Sequence, residues 1–186
     1  DYGTDLAYLQ ELCAYWRDEY DWRTHEARLQ AWDHFSTEID GQPLHFIHAP
    51  SPVAGARPLI LSHGWPGSVV EFLHVIEPLR DPEAHGGSAE DAFHVVAPSL
   101  PGYGWSGPTV DRGWDPKRIA LAFAALMDRL GYDGYLAQGG DWGSMISTQI
   151  GLQDPAHCAG IHLNMLIAVP GPDDEMTEEE TQAMTD

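Results

Sequence analysis

Gly139-Gly140-Asp141-Trp142-Gly143 places one carboxylate among three glycines, between a predicted strand and a predicted helix. The spacing is small-x-nucleophile-x-small, as in a sharp strand-to-helix turn that presents a nucleophile, with Asp in place of the commoner Ser. Such a turn strains the backbone at its centre and leaves no room for neighbouring side chains, which accounts for the glycines. A carboxylate is a poor nucleophile for ordinary ester hydrolysis. It suits attack on an sp3 carbon, giving an alkyl ester that water then cleaves at its carbonyl. An Asp at a strand–helix junction also serves as a helix cap, and that alternative stands beside the nucleophile. The three glycines and Trp142 favour the nucleophile.

A second segment, Ser62-His63-Gly64-Trp65-Pro66-Gly67-Ser68, ends the first core strand. If Asp141 is the nucleophile, the backbone N–H groups of Trp142, next in sequence, and of Trp65, in this loop, are placed to form an oxyanion hole. Read alone, the segment is equally a glycine–proline turn before a capped helix, with His63 a structural histidine.

The elements that must position these residues follow from periodicity. Apolar residues from Thr4 to Trp16 recur at helical spacing behind a Thr4 cap, and a short helix starts at Thr24. This Trp-rich front helix reads as core packing rather than a binding surface. Phe35–Ile39 and Leu44–Ile47 flank Asp40-Gly41, a hairpin turn. Short apolar runs then alternate with helices: Leu59–Leu61, a helix Ser68–Leu79, Phe93–Ala97, a helix Pro116–Leu130, Tyr135–Gln138, a helix ending near Asp154-Pro155, and Gly160–Met165. That alternation predicts an α/β fold with a parallel sheet. Ser68 with Glu71 forms a capping box, and Asp115-Pro116 a capped helix start. Arg80–Asp91 reads as a polar surface loop, and the acidic stretch after Pro170 as an exposed linker.

HGWPGS, PSLPGYGWSGP and GGDWGS, in this order, together resemble epoxide hydrolases of the α/β-hydrolase superfamily. The front region, with YWRDEYDWRTHEARL and DGQPLHFIH, is similar to the N-terminal domain of the microsomal and juvenile-hormone types. The resemblance implies an α/β-hydrolase fold with an N-terminal helical and hairpin extension, divided as 1–34 helical extension, 35–169 first half of the core and 170–186 acidic linker. It implies Asp141 as nucleophile, Trp65 and Trp142 as oxyanion donors, and a cis Trp65–Pro66 bond. It further implies a lid with two acid tyrosines, then a carboxylate and a base histidine. Downstream of Asp141 the chain offers only His157 and His162, and Tyr135 is the last tyrosine. The expectation is therefore a fold truncated before its lid, completed by a second chain or a continuation. Epoxide and carbon–halide substrates both fit a carboxylate nucleophile. Haloalkane dehalogenases share Asp-Trp but commonly place Asn after HG, where Trp65 stands. The third alternative is an inactive binding protein on the same fold.

Composition narrows the partners. With 9 Lys+Arg against 29 Asp+Glu and a formal net charge of -20, clustered cations for phosphate contacts are lacking, which excludes nucleic acid and disfavours anionic membranes. No apolar run reaches the ~20 residues that span a bilayer. Cys13 and Cys158 read as buried free thiols, consistent with a cytoplasmic setting. Gly102-Tyr103-Gly104-Trp105-Ser106-Gly107 matches GxGxxG, but Pro108 follows instead of a helix, so it reads as a loop at the sheet's C-terminal edge, not a dinucleotide site. His45 and His48 are three apart on a strand and face opposite ways, and no HExxH or paired CxxC occurs, so neither metal nor cofactor is expected.

Overall fold

The computed structural model describes residues 3–167 and 177–183. In chain order the elements are helices α1 (Leu6–Asp18) and α2 (Trp22–Gln30), strands β1 (His34–Ile39), β2 (Gln42–Ala49) and β3 (Arg57–Ser62), helix α3 (Ile76–Arg80), β4 (Phe93–Pro98), α4 (Pro116–Arg129), β5 (Tyr135–Gly139), α5 (Trp142–Gln153), β6 (Cys158–Leu163) and α6 (Glu178–Ala183). The six strands form one sheet in the order β1-β2-β4-β3-β5-β6. The first three in that order pair antiparallel and the rest parallel.

The hairpin forms where expected. Asp40 and Gly41 both take positive φ, 52° and 72°, as a two-residue turn matched to strand twist requires. Alternation along the central strands then feeds two cores. Leu59, Leu61, Val95 and Ala97 pack with Val69 and Ile76 on one face. Ile60, Val96 and Ala137 pack on the other against Phe123 and Leu126 of α4 and Ile146 of α5.

Several local expectations need correction. The cap of α1 is Asp5, whose carboxylate accepts the Tyr8 N–H, rather than Thr4. α2 begins at Trp22, because Asp21 accepts from Arg23 N–H and the Thr24 hydroxyl. The predicted helix Ser68–Leu79 is split into a 3-10 turn, Val69–Phe72, and α3. The Ser68/Glu71 capping box is present, but Pro78 has no N–H to give to a continuous helix. As third residue of a new one it loses nothing. The last strand is Cys158–Leu163 rather than Gly160–Met165, and it lies at the sheet edge among the described residues. α1 buries no residue, with Leu6 68% and Trp16 69% exposed, so the core reading of the front helix fails. Both thiols were expected buried; Cys13 is exposed and Cys158 half-buried. Short 3-10 turns, Pro82–His85 and Ala89–Asp91, interrupt the expected 80–91 loop. Most of the predicted 170–186 linker lies outside the described residues; 177–183 includes α6. Among the described residues no helix is long and apolar enough to cross a membrane.

Candidate active site

β3 and β5 are neighbours, with Ser62 paired to Gly139 at their C-terminal ends. The loops that leave these two strands therefore emerge side by side, which brings together Trp65, Asp141 and Trp142 from distant parts of the chain. Close approach depends on missing side chains. A Cβ on Gly143 would lie 1.9 Å from the Ser62 carbonyl oxygen, and one on Gly64 would lie 2.4 Å from Asp141 Cβ.

Asp141 occupies φ 53°, ψ −127°, a conformation that non-glycine residues rarely hold and that a surrounding structure must enforce. Its side chain makes no capping hydrogen bond to α5. The carboxylate instead accepts the Trp65 N–H, at 2.7 Å from Oδ1. That bond first, and then the neighbouring backbone N–H of Trp142, hold the carboxyl below its ordinary range. The N-terminus of α5 adds the positive end of its dipole. The Trp65–Pro66 bond is cis, as the resemblance implied.

Behind this cradle sits His63, 1% exposed. Its Nδ1 is 2.9 Å from the Gly64 carbonyl and its Nε2 accepts the Leu100 N–H at 3.1 Å. A carbonyl only accepts and a backbone N–H only donates, so the ring is neutral with its proton on Nδ1. Burial pushes its pKa down, which keeps it so. Tyr103 meets the ring edge-on at 5.5 Å, and its loop carries the 3-10 turn Gly104–Ser106 with no following helix until α4.

The six-stranded sheet, the β3 and β5 loop pair and the strained Asp141 have a counterpart in known sequences. Residues 57–185 match the family described as alpha/beta hydrolase fold, and residues 1–72 match Epoxide hydrolase N terminus. The chain belongs to the α/β-hydrolase fold family. It is 50% identical over 184 residues to a Stigmatella aurantiaca protein whose provisional name is epoxide hydrolase, covering 98% of this chain and 42% of that one. It is 41% identical to Epoxide hydrolase 1 of Oryctolagus cuniculus, covering 89% and 37%. Among solved structures, Aspergillus niger epoxide hydrolase superposes with TM-score 0.79 at 35% identity, covering 98% and 48%. The juvenile hormone epoxide hydrolase of Bombyx mori gives 0.78 at 38%, covering 88% and 43%. The chain thus spans less than half the length of each.

Within this α/β-hydrolase fold, neither histidine downstream of Asp141 approaches it as a base. His157 is bonded to Asp154 Oδ1 at 2.5 Å, and its carbonyl accepts the Tyr135 N–H at the opposite end of β5. His162 lies on exposed β6 opposite Gln138. His45 and His48 have separate partners, Ser99 with His34 and Tyr132 respectively. Among the described residues no group of three or more His, Cys, Asp or Glu is placed to hold a metal. Two neighbours of the site carry little signal in the sequence. Gly64 reads only as part of a turn, and Asn164, whose Oδ1 would lie 2.2 Å from a Cβ on Gly140, has no local signal.

Proposed function

We propose that this chain carries the nucleophile and the oxyanion cradle of an epoxide hydrolase. Asp141 attacks an epoxide carbon, the ring C–O bond breaks, and an alkyl ester forms on the Asp141 carboxyl. Water adds to that ester, and the tetrahedral oxyanion rests on an Asp141 oxygen held by the Trp65 and Trp142 N–H groups. One observation carries this reading. A strained Asp141 turns its carboxylate away from the helix-capping position onto a backbone N–H at 2.7 Å, within the ~2.7–3.1 Å at which an oxyanion donor acts. Because the oxyanion develops on the same carboxyl that the donors already grip, the resting distance is relevant to the hydrolytic step. Epoxide is favoured over halide by Trp65 at the position after His63-Gly64 and by the similarity of the chain to epoxide hydrolases.

On this reading the proton donors to the epoxide oxygen, the base and its acid partner come from polypeptide other than these 186 residues, either a second chain or a continuation. The test is a single turnover in H₂¹⁸O with enzyme in excess over a generic aryl epoxide. Largely unlabelled diol is expected, with ¹⁸O in Asp141. Where the base is missing, the ester persists and substrate mass stays on the Asp141 peptide. Solvent oxygen in the first-turnover diol with no label on Asp141 overturns the proposal.

A further inference from the structure

The Gly64 carbonyl and the Trp65 N–H belong to one planar peptide unit and point in opposite directions. Whatever holds the carbonyl therefore aims the N–H. His63 holds it: Nδ1 lies 2.9 Å from Gly64 O, while the other face of the same peptide places Trp65 N 2.7 Å from Asp141 Oδ1. The tautomer that makes this possible is set from a second loop, by the Leu100 N–H on Nε2. Gly64, with no Cβ, lets the peptide lie against Asp141.

We propose that His63 is the positioning residue of the oxyanion cradle: its Nδ1–H grips the Gly64 carbonyl and thereby fixes the direction of the Trp65 N–H, under the control of the loop after β4. Its consequence for turnover rests on the role given above to Trp65. The geometric claim does not, and the two fail separately. His63 touches no reacting atom. Its effect passes through a peptide bond, so a movement of the 100–106 loop reaches the cradle by way of this ring.

Two substitutions separate the two ring nitrogens. In His63→Asn the side-chain amide N–H₂ sits where Nδ1–H was and can still donate to Gly64. In His63→Gln the amide reaches the Nε2 position and can meet Leu100, but not Gly64. The readout in the whole protein is the ¹H–¹⁵N resonance of Trp65, which lies downfield while its N–H is bonded to a carboxylate. His63→Asn is expected to keep that resonance near its wild-type place, with ester hydrolysis within a few-fold. His63→Gln is expected to move it upfield and slow hydrolysis by about tenfold or more, short of the roughly 10²–10³ seen when an oxyanion donor is deleted. The Trp142 amide stays in place in both.

An unmoved Trp65 resonance in His63→Gln, or equal movement in both variants, overturns the proposal and leaves His63 as filling. Should a variant unfold, the wild-type ring decides: imidazole ¹⁵N shifts must show the Nδ1–H tautomer, and finding the Nε2–H tautomer overturns the proposal. Absence of epoxide turnover bears on the function of Trp65 and leaves the amide and tautomer results to stand by themselves.

Discussion

A single methyl group at position 143 would meet the Ser62 carbonyl oxygen at 1.9 Å, and backbone on a central strand cannot move aside as a flexible side chain can. Gly143→Ala is therefore expected to destabilise the fold by about 3 kcal/mol, at the upper end of ordinary overpacking, read from denaturant unfolding. A change below ~0.5 kcal/mol would mean that strand and helix are not in contact here. Trp65→Pro removes the N–H that is bonded to the Asp141 carboxylate. The expected outcome is a turnover loss of about 10²–10³ and an Asp141 carboxyl that titrates higher than in wild type, measured by ¹³C NMR. A titration unchanged from wild type would place the carboxylate away from Trp65. At this scale the sequence was readable where the chemistry is local: GGDWG pointed to a strained turn and HGWPG to a loop offering one oxyanion N–H, that of Trp65. The bond between them was not readable, because it depends on β3 and β5 being neighbours. Nor was the two-sided bonding of His63, whose partners lie on its own next residue and on a loop 37 residues away.

Capping shows how differently two helices of similar length are tied to the molecule. Asp115 accepts the Arg118 N–H at the start of α4, whose Phe123, Leu126 and Met127 are fully buried. Asp5 accepts the Tyr8 N–H at the start of α1, which buries nothing. Asp115→Ala should lower global stability by about 1 kcal/mol, and Asp115→Asn should restore most of it. Asp5→Ala should fray α1 and speed its amide exchange without moving the global unfolding midpoint, since an unpacked helix does not share in global cooperativity. Equal midpoint shifts in the two alanine variants would show that α1 is docked after all. Periodicity revealed both helices in the sequence but could not tell which apolar stripe has a partner. α4 and α1 both repeat at helical spacing, and only α4 has a sheet face beneath it. The split of Ser68–Leu79 is legible in principle, since Pro78 disfavours a continuous helix, although the capping box and the apolar residues point to one.

Across the whole molecule, acid acts on stability with two opposite signs. The formal charge of -20 repels itself near neutrality, and protonating carboxylates relieves that repulsion as pH falls. His45 works the other way. It is 5% exposed and links the hairpin to the body of the sheet: Nδ1 accepts from Ser99 Oγ, and Nε2–H donates to His34 Nδ1, whose own Nε2–H donates to the Leu29 carbonyl. Every ring nitrogen in that chain is used; a proton added at His45 Nδ1 keeps its partner only if the Ser99 hydroxyl turns to accept it, and it leaves a charge in a buried site. Burial first, then the neighbouring His34, lowers the His45 pKa to about 4 from the ordinary 6.5. The unfolded chain thus takes up this proton before the folded one. The stabilisation is complete above pH 6.5 and declines as pH falls toward 4. A fall from 6.5 to about 4 corresponds to about 3 kcal/mol across that window. Total stability against pH cannot isolate this, because the many carboxylates begin to titrate in the same window. The difference between wild type and His45→Gln can, since both carry the same acidic surface. Measured by urea unfolding at fixed ionic strength, that difference should shrink steadily from pH 6.5 to pH 4. A difference constant across the window would show that His45 takes up its proton as readily in the folded protein as in the unfolded chain, and that the Ser99–His45–His34 chain tolerates charge.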